Sequence, residues 1–416
     1  MYIPRLLTSR LLRLLDVFPV VVVSGARQVG KSTLLQEVLG GTWSIVVFDP
    51  VVDVENARLD PELFLANRLP PLILDEIQYA PELVPAIKRL VDRDRRPGQY
   101  VITGSQRWEV MRDLAESLAG RAGFLDLEGF SLTERANTSD LTPWFPEWLR
   151  QQEACLAGQV QRLPLRHTLY ELLWRGSLPD ACLLPLDVIA DFHLAYQRTY
   201  IERDVRLLAQ VSDSQLFGRF LRLCGALTAQ EINYSQLGRE LGLTPQTSAR
   251  WLDILKATFQ WFELSAWSGN TIKRVSSRPK GYLADTGLAC AAQSISTPHA
   301  IGNHPLQGAL FETAVVGEIR RQCGLLSPRP RMYHWRSHRG AEVDVVVEYD
   351  GVLFPVEIKL KSRPSKRDTS GITAFRKTYP GQRVASGLVV CPTEGVLRLN
   401  DRDWAVPWDL GIAAAT

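Results

Sequence analysis

The 416-residue chain carries 48 lysine and arginine residues against 45 aspartate and glutamate residues, a formal net charge of +3. This near-neutrality excludes a protein that binds nucleic acid through its overall charge, so any such contact must come from a local patch. The six cysteines lie far apart and include no C-x-x-C pair, which argues against a zinc site or a disulfide framework and for a reducing cytoplasm. The length predicts about three domains.

The apolar N-terminal stretch predicts a helix and not a secretory signal, because Arg13 and Asp16 interrupt it and no small-residue cleavage site follows. Within residues 3–18, four apolar side chains recur at helical spacing: Leu7, Leu11, Leu14 and Phe18. We expect this helix to pack on a sheet, with Arg5 and Arg13 off its apolar face. The chain contains no transmembrane run, and we expect no membrane partner.

A phosphate-binding loop follows. Four valines, Val20–Val23, predict a strand buried on both faces, and Gly25–Ser32 spells G-x-x-x-x-G-K-S before a helical stretch. In such a loop, backbone N–H groups and the helix N-terminus face phosphate oxygens, Lys31 reaches the β- and γ-phosphates, and Ser32 ligates Mg²⁺. The sequence therefore predicts a nucleoside triphosphate site, lined by Gly25, Ala26, Arg27, Gln28, Val29, Gly30, Lys31, Ser32 and Thr33.

Four further strands are predicted in the same region. They lie in residues 43–50, which include Asp49, and in residues 72–74, 99–106 and 123–130. Helical stretches separate these strands, and polar residues follow at their C-terminal ends. This alternation is typical of an α/β fold with a doubly wound parallel sheet.

The pair Asp75-Glu76 ends the third of these strands. Asp75 is predicted to hold Mg²⁺, and Glu76 to orient and deprotonate the water that attacks the γ-phosphate. The alternative is a pair of solvated turn carboxylates. Ser105 is the candidate polar sensor near the γ-phosphate, with Thr103 as the second choice, and Arg121 is either an arginine finger or an ordinary surface arginine.

Several motifs of the chain resemble those of one known family: GARQVGKST, LILDEIQ, VITGSQ, ESLAGRAGFLDLEGFSLTE, RGSLPDA and YIERDVR. In this order they resemble a family of prokaryotic AAA-type P-loop ATPases whose C-terminal half is catalogued as domain of unknown function 4143. The resemblance implies ATP as the nucleotide, a helical lid after the sheet, and a homo-oligomer. We accordingly expect an ATPase core over residues 1–165 and a lid over residues 166–215.

Two stretches near this lid are less informative. Residues 140–165 contain two tryptophans and a Gln-rich run, and we expect an excursion between sheet and lid. Within the lid, Arg198, Arg203 and Asp204 could face the nucleotide, or they could belong to an ordinary solvated helix face.

Residues 216–300 predict a winged helix-turn-helix. A short helix ends at Gly242, and Thr244-Pro245 supplies a cap and a first-turn proline for the next helix. We expect three side chains of this second helix to meet a major groove: Gln246, Ser248 and Arg250. A hairpin-like wing carrying Lys273, Arg274, Arg278 and Lys280 would grip DNA phosphates. The alternative is a module that docks a protein.

Residues 301–416 predict a second site. Glu312 lies on a helix, Glu342 and Asp344 share one face of a strand, and Glu357 and Lys359 share a face of the next strand after a turn at Asp350-Gly351. The order of Glu312, Asp344, Glu357 and Lys359 resembles the PD-(D/E)xK nuclease fold. There the three carboxylates would hold Mg²⁺ and the lysine would position a water.

Basic residues near this site would suit a phosphate backbone: Arg336, Arg339, Lys361, Arg363, Lys366 and Arg367. Two alternatives remain open, namely exposed charges at strand ends and a nuclease fold kept only for binding. The preferred function is an AAA-type ATPase that couples its nucleotide state to DNA binding and Mg²⁺-dependent DNA cleavage. The second hypothesis is an ATP-driven switch whose nuclease-like domain binds DNA or a protein without cutting.

Overall fold

The computed structural model describes residues 2–48, 54–105, 118–158, 160–200, 205, 214–270, 272, 274 and 277–414. The chain divides into two compact units. The first comprises Met1–Gly129 and Asp253–Gln260, and the second comprises Phe130–Leu252 and Trp261–Thr416.

The first unit alternates helices and strands. Its elements are α1 (Thr8–Leu15), β1 (Val20–Ser24), α2 (Lys31–Leu39), β2 (Ser44–Val47), α3 (Val54–Leu59), α4 (Pro61–Ala66), β3 (Leu72–Asp75), α5 (Leu83–Arg93), β4 (Tyr100–Gly104) and β5 (Ala122–Asp126). The five strands form one parallel sheet in the order β2-β3-β4-β1-β5. Every residue of β1, β3 and β4 is buried, as expected for the centre of a parallel sheet. The predicted α/β fold with a parallel sheet is confirmed.

The N-terminal helix differs from its prediction in length and in the place of one arginine. The helix spans only Thr8–Leu15, so Arg5 precedes it. Arg5 is buried, although we expected a side chain off the apolar face. A buried guanidinium needs hydrogen-bond acceptors, which apolar periodicity cannot reveal. Asp49, at the end of the second predicted strand, lies outside the described residues.

The second unit begins with short helices and strands. In chain order these are α6 (Leu132–Ala136), β6 (Leu141–Pro143), α7 (Phe145–Gln151), α8 (Glu153–Leu156), β7 (Val160–Arg162), α9 (Leu169–Arg175), α10 (Pro179–Leu183), α11 (Ile189–Tyr200), α12 (Ser214–Ala226), β8 (Gln230–Glu231), α13 (Tyr234–Leu237), α14 (Pro245–Ala257), β9 (Trp261–Ala266) and β10 (Lys280–Leu283). The last residues of α14, from Asp253 onward, are assigned to the first unit.

The remaining elements of this unit are α15 (Thr286–Ala292), α16 (Pro298–Ile301), α17 (Gln307–Cys323), β11 (Arg331–Arg336), β12 (Glu342–Tyr349), β13 (Val352–Ile358), α18 (Ser370–Thr378), β14 (Gly387–Cys391), β15 (Leu397–Arg398), β16 (Asp403–Pro407) and β17 (Leu410–Ala413). The predicted turn at Asp350-Gly351 is present, and both residues have positive φ, 48° and 70°. Such a two-residue turn matches the twist of a hairpin.

Strand pairing in the second unit crosses the domain boundaries that we expected at residues 165 and 300. A nine-stranded sheet runs β15-β16-β14-β13-β12-β11-β9-β10-β8, so the strands of residues 216–300 continue into those of residues 301–416. A small sheet, β6-β17-β7, pairs residues 140–165 with the last described strand. The compact units accordingly divide after Gly129 and not at residue 165. Pairing between distant segments leaves no local signal in the sequence.

None of the helices in the described part of the chain combines the length and the hydropathy needed to span a bilayer.

Candidate nucleotide site and C-terminal acidic cluster

The phosphate-binding loop joins β1 to α2, as predicted. Gly25 has φ 156°, and a Cβ at this position would lie 2.1 Å from the Leu127 carbonyl oxygen, so no side chain fits there. Gly30 is left-handed, with φ 88°, and immediately precedes the first residue of α2. Both glycines of the motif are therefore required by the shape of the loop.

Lys31 is folded into this loop. Its side chain is buried, and Nζ donates hydrogen bonds to the carbonyl oxygens of Gly25 at 3.0 Å and Ala26 at 2.9 Å. The loop thus holds an ammonium group against its own backbone, close to the N-terminus of α2. This is the place where the sequence predicts phosphate oxygens.

The first turn of α2 and the ends of β3 and β4 meet beside the loop. Ser32 Oγ donates a 2.6 Å hydrogen bond to Asp75 Oδ2, and Thr103 Oγ1 donates to the other oxygen of the same carboxylate. The Glu76 N–H in turn donates to Thr103 Oγ1 at 3.1 Å. A hydroxyl and a carboxylate oxygen side by side are the hard ligands that Mg²⁺ prefers, so Ser32 and Asp75 fit the predicted metal.

Glu76 has a left-handed backbone, with φ 60° and ψ 47°. Such a conformation is uncommon outside glycine and is found preferentially at functional sites. Gln78 Nε2 donates to the Glu76 carboxylate and, at 3.4 Å, to Ser105 Oγ. Gln78 was missed by sequence reasoning, although it stands within the LILDEIQ motif.

Of the two candidate polar sensors, the structure favours Thr103, whereas the sequence favoured Ser105. Thr103 is completely buried and contacts both acidic residues, whereas Ser105 is connected to Glu76 through Gln78. Two strands of a parallel sheet that lie next to each other bring their C-terminal residues together, and β4 lies next to β3.

Arg121 lies at the opposite end of the strands from its own phosphate-binding loop. It precedes β5, and its carbonyl oxygen accepts a hydrogen bond from Val20, the first residue of β1. The loop follows the far end of β1, about 15 Å away at the usual rise per residue. The Arg121 guanidinium pairs with Asp92 at 2.6 Å and lowers the pKa of the Asp92 carboxyl. Arg121 thus does not reach the nucleotide site of its own chain.

Arg5 is a further residue of this region, for which the sequence predicted no contact with the phosphate-binding loop. Its guanidinium donates to the Val29 carbonyl oxygen at 2.7 Å and to the Glu128 carbonyl oxygen at 2.6 Å. Val29 belongs to the phosphate-binding loop, and Glu128 follows β5. Arg5 therefore fixes the loop to the segment that leaves the sheet.

The C-terminal cluster is built on the β12–β13 hairpin. Val345 pairs with Val356, and Asp344 and Glu357 each lie one residue beyond that pair. Lys359 Nζ lies 2.8 Å from Glu357 Oε2 and 3.4 Å from Asp344 Oδ2. The structure therefore brings these three predicted residues together. Glu342, at the start of β12, is exposed.

A second lysine enters the same cluster. Lys280 Nζ lies 2.6 Å from Glu312 Oε1 and 3.2 Å from Asp344 Oδ1. Two residues further along β10, the Tyr282 hydroxyl donates to Glu312 Oε1 at 2.8 Å. The prediction that Lys280 grips DNA phosphates is wrong, because its side chain is buried among these carboxylates. Its partners lie on other elements of the chain, which a local pattern of basic residues cannot show.

The lysines hold part of the cluster ionised. Burial opposes the ionisation of Asp344, but Lys280 and Lys359 outweigh it and lower the pKa of this carboxyl. Burial and the charge of Asp344 raise the pKa of Glu357 well above its usual range, and raise that of Glu312 to about 7. Within the hairpin pair, the two lysines thus favour the ionised form of Asp344, whereas burial and the neighbouring Asp344 charge oppose ionisation of Glu357.

The donor set of the cluster does not fit Mg²⁺. Each of the three carboxylates has a lysine ammonium within 3.2 Å. Among the described residues, no group of three acidic, histidine or cysteine side chains is arranged to hold a metal ion. Both oxygens of Asp344, and one oxygen each of Glu312 and Glu357, are instead bound to ammonium groups.

The predicted helix-turn-helix residues separate into exposed and buried ones. The Thr244 hydroxyl accepts the Thr247 N–H at 3.2 Å and caps α14, as expected. Gln246 and Arg250 are exposed on α14, but Ser248 is fully buried and donates to the Thr244 carbonyl oxygen. The prediction that Ser248 meets a DNA groove is therefore wrong, because it faces the interior of its own module.

The other predicted basic residues also differ in exposure. In the wing, Arg278 is exposed, Arg274 stacks on Trp267 with 4.9 Å between guanidinium and ring, and Lys273 lies outside the described residues. Near the cluster, Lys361 pairs with Asp368 at 2.5 Å, whereas the remaining candidates are exposed: Arg336, Arg339, Arg363, Lys366 and Arg367.

In the predicted lid, Arg198 is exposed on α11. Arg203 and Asp204 lie outside the described residues.

Three family models match this chain. The model of an AAA domain matches residues 17–136, and two models described as domains of unknown function, DUF8612 and DUF4143, match residues 166–299 and 307–410. The first match contains the phosphate-binding loop and the acidic pair. The third contains the three carboxylates of the C-terminal cluster.

Relatives are similar over nearly the whole chain. The uncharacterized protein Rv2008c of Mycobacterium tuberculosis is 30% identical over 403 residues, which cover 96% of this chain and 82% of the relative. The uncharacterized protein Mb2031c of Mycobacterium bovis matches with the same values.

Solved structures are less similar. The Walker-type ATPase PABY2304 of Pyrococcus abyssi has a TM-score of 0.41 and 15% identity, covering 69% of this chain and 94% of its own. The RuvB Holliday junction branch migration motor of Thermotoga maritima has a TM-score of 0.28 and 14% identity, covering 62% and 89%.

Proposed function

Because this chain belongs to the family of AAA-type P-loop ATPases with a C-terminal domain of unknown function 4143, we propose that it hydrolyses ATP to switch the state of its C-terminal half. The single observation that carries the proposal is the meeting of Ser32, Asp75 and Thr103 beside the phosphate-binding loop.

The roles in hydrolysis follow from this geometry. Lys31 and the loop backbone bind the phosphates, and Ser32 and Asp75 hold Mg²⁺, which when bound offsets phosphate charge. Glu76 accepts the proton of the attacking water. Thr103 fixes the Asp75 carboxylate and the Glu76 backbone, and Gln78 orients the Glu76 side chain.

Two substitutions separate binding from hydrolysis. Lys31→Ala removes the cation held in the loop, so nucleotide binding by calorimetry should be lost. Glu76→Gln keeps the Mg²⁺ ligands but removes the base, so ATP binding should remain while phosphate release slows at least 100-fold, at the low end of what a general base contributes. The exposed Lys377 supplies a matched control in Lys377→Ala, which should behave as wild type. Normal turnover by Glu76→Gln protein would overturn the assignment of the base.

We further propose that residues 216–300 bind DNA. Support comes from the order of α13, a tight turn and the capped helix α14, and from the exposure of Gln246 and Arg250. Fluorescence anisotropy with labelled duplex DNA, with and without ATP, tests this proposal. Arg250→Ala should weaken binding, whereas Arg222→Ala, an exposed arginine of α12, should not. Equal affinity of wild type and Arg250→Ala would favour a protein partner.

We propose that the C-terminal half binds DNA or a protein partner and does not cleave DNA. The supporting observation is that all three carboxylates of the acidic cluster are bound by lysine. Plasmid and linear DNA incubated with Mg²⁺ or Mn²⁺, with and without ATP, should remain intact. Cleavage by wild type that Asp344→Ala, Glu357→Ala and Lys359→Ala each eliminate would instead establish the nuclease, because groups that act as a unit fail together.

A further inference from the structure

We infer that the ammonium group of Lys280 is the resident cation of the C-terminal acidic cluster and takes the place of a divalent metal. This inference deepens the proposal that the domain binds without cleaving, and it rests on that proposal. It concerns a residue of β10, outside the hairpin that carries the D and E-x-K positions.

The five charged groups alternate in sign. Lys280 contacts Glu312 and Asp344, and Lys359 contacts Asp344 and Glu357. The order in space is therefore Glu312, Lys280, Asp344, Lys359, Glu357. Asp344 lies in the middle, bound by both lysines and by the Ile358 N–H at 2.9 Å. Asp344 and Glu357 are also hydrogen-bonded to each other.

A metal and the Lys280 ammonium cannot share this position. Mg²⁺ binds carboxylate oxygens at about 2.0–2.1 Å and has to displace any cation that lies between them. Lys280 Nζ already lies between Glu312 and Asp344, within hydrogen-bond distance of both. These are two of the three carboxylates that the metal would need.

The position of Lys280 is set by the sheet. β10 is paired on both sides, with β9 at Leu264 and with β8 at Glu231, and the Lys280 side chain is 11% exposed. Because alternate residues of a strand share a face, Tyr282 points the same way and also binds Glu312. Withdrawal of the lysine would remove the ammonium group that lies against Glu312 and one of the two that lie against Asp344, and burying a carboxylate without its counter-charge is costly.

Charge balance supports the same conclusion. The cluster contains three carboxyl groups and two ammonium groups, and each ammonium already contacts two carboxylates. Adding a divalent cation to the existing lysines would make the group positive by at least one charge. A buried surplus charge of this kind is disfavoured. The cluster is thus complete as an internal ion network that ties β10 to α17 and to the β12–β13 hairpin.

Mn²⁺ binding measured by electron paramagnetic resonance, without nucleotide, tests the inference. Wild-type protein and Asp344→Asn protein should bind Mn²⁺ equally, because the cluster holds none. Lys280→Met keeps an unbranched apolar stem but removes the ammonium, so this protein should gain a single Mn²⁺ site per chain. The double variant Lys280→Met/Asp344→Asn should lose the gained site. All four proteins carry the same phosphate-binding loop, so its contribution cancels.

Three outcomes would overturn the inference. They are a Mn²⁺ site in wild type that Asp344→Asn removes, a folded Lys280→Met protein without a new site, and a gained site that survives Asp344→Asn. If circular dichroism shows that the cluster variants do not fold, Mn²⁺ binding by wild type still tests the inference. A stoichiometric Mn²⁺ site that persists in Asp75→Asn protein lies outside the nucleotide site and would contradict the inference. DNA cleavage is measured in a separate assay. Cleavage would contradict the proposed function, whereas Mn²⁺ binding by the wild-type cluster would contradict the inference about Lys280.

Discussion

Ser32 Oγ donates a 2.6 Å hydrogen bond to Asp75 Oδ2, although the strands that lead to these two residues are not paired with each other. β4 lies between β1 and β3, and Thr103 near its end binds the other oxygen of Asp75. The hydroxyls of Ser32 and Thr103 therefore hold the Asp75 carboxylate from two sides. The nucleotide site therefore depends on the first turn of α2 and on the ends of β3 and β4, and not on the loop alone.

The first prediction concerns Thr103. Thr103→Val keeps the shape of the side chain but leaves the Asp75 carboxylate and the Glu76 N–H without their shared partner. Loss of a hydrogen bond to a charged group costs about 1.5–3 kcal/mol, which corresponds to roughly ten- to hundredfold slower hydrolysis. ATP binding should remain, as measured by calorimetry beside phosphate release. Thr103→Ser should restore the rate, and a larger loss in Ser105→Ala than in Thr103→Val would contradict this ranking.

The second prediction concerns Arg5. Replacement of Arg5 by Ala should weaken nucleotide affinity, because the Val29 end of the phosphate-binding loop is released from the Glu128 segment. The free energy of unfolding should also fall by about 1.5–3 kcal/mol, the usual contribution of hydrogen bonds to a charged group. Calorimetry below the unfolding transition separates the two effects.

Arg13 supplies the matched control for this experiment. It is exposed on α1, so Arg13→Ala should change neither quantity. A folded Arg5→Ala protein with wild-type affinity for ATP would show that the arginine serves stability alone.

The third prediction is that Arg121 acts on the nucleotide of a neighbouring chain. It cannot reach its own site, because it lies at the start of β5 while the loop lies beyond the end of β1. Arg121→Ala and Lys31→Ala proteins should each be inactive alone. Mixed together, they should regain part of the ATPase activity, because some interfaces then combine an intact arginine with an intact loop.

The mixing experiment needs two accompanying measurements. Light scattering under ATP reports whether the chains assemble at all. Asp92→Asn frees Arg121 from its partner and should leave hydrolysis at or above the wild-type rate. A monomer under ATP, together with no rescue on mixing, counts against a role in trans.

The fourth prediction concerns pH. Burial lowers the pKa of His193 below 6.5, against the opposing influence of Asp285, and Nδ1 has no hydrogen-bond partner among the described residues. Below about pH 6.5 the unfolded chain therefore binds a proton that the folded chain does not. Stability contributed by neutral His193 is present above pH 6.5 and is lost as the pH falls, with a slope of at most about 1.4 kcal/mol per pH unit.

Urea denaturation at several pH values between 5 and 7.5 measures this slope. His193→Gln can keep the hydrogen bond to the Arg175 carbonyl oxygen but cannot be protonated, so its stability should fall less steeply on acidification. His338→Gln, at an exposed position, should follow wild type. Parallel curves for His193→Gln and wild type would exclude His193 as the titrating group.

The sequence alone was sufficient for the parts of this protein in which function resides in contiguous residues. The phosphate-binding loop, the acidic pair Asp75-Glu76 and the parallel sheet follow from local patterns, because a strand, a glycine-rich loop and a helix carry their signals within a few residues. The cap at Thr244 and the turn at Asp350-Gly351 could be predicted for the same reason. The hairpin likewise brought Asp344 and Glu357 together as its strand alternation indicated.

Only the tertiary structure decided which side chains share an environment with residues far away in the chain. Lys280 looked like one basic residue among several on a wing, yet its partners Glu312 and Asp344 lie 32 and 64 positions further on. Buried Arg5 donates to the Glu128 carbonyl oxygen, 123 residues away. A charged side chain that is buried needs an oppositely charged partner, because the low-dielectric interior solvates the charge poorly. The identity of that partner is a property of strand pairing and not of the local sequence.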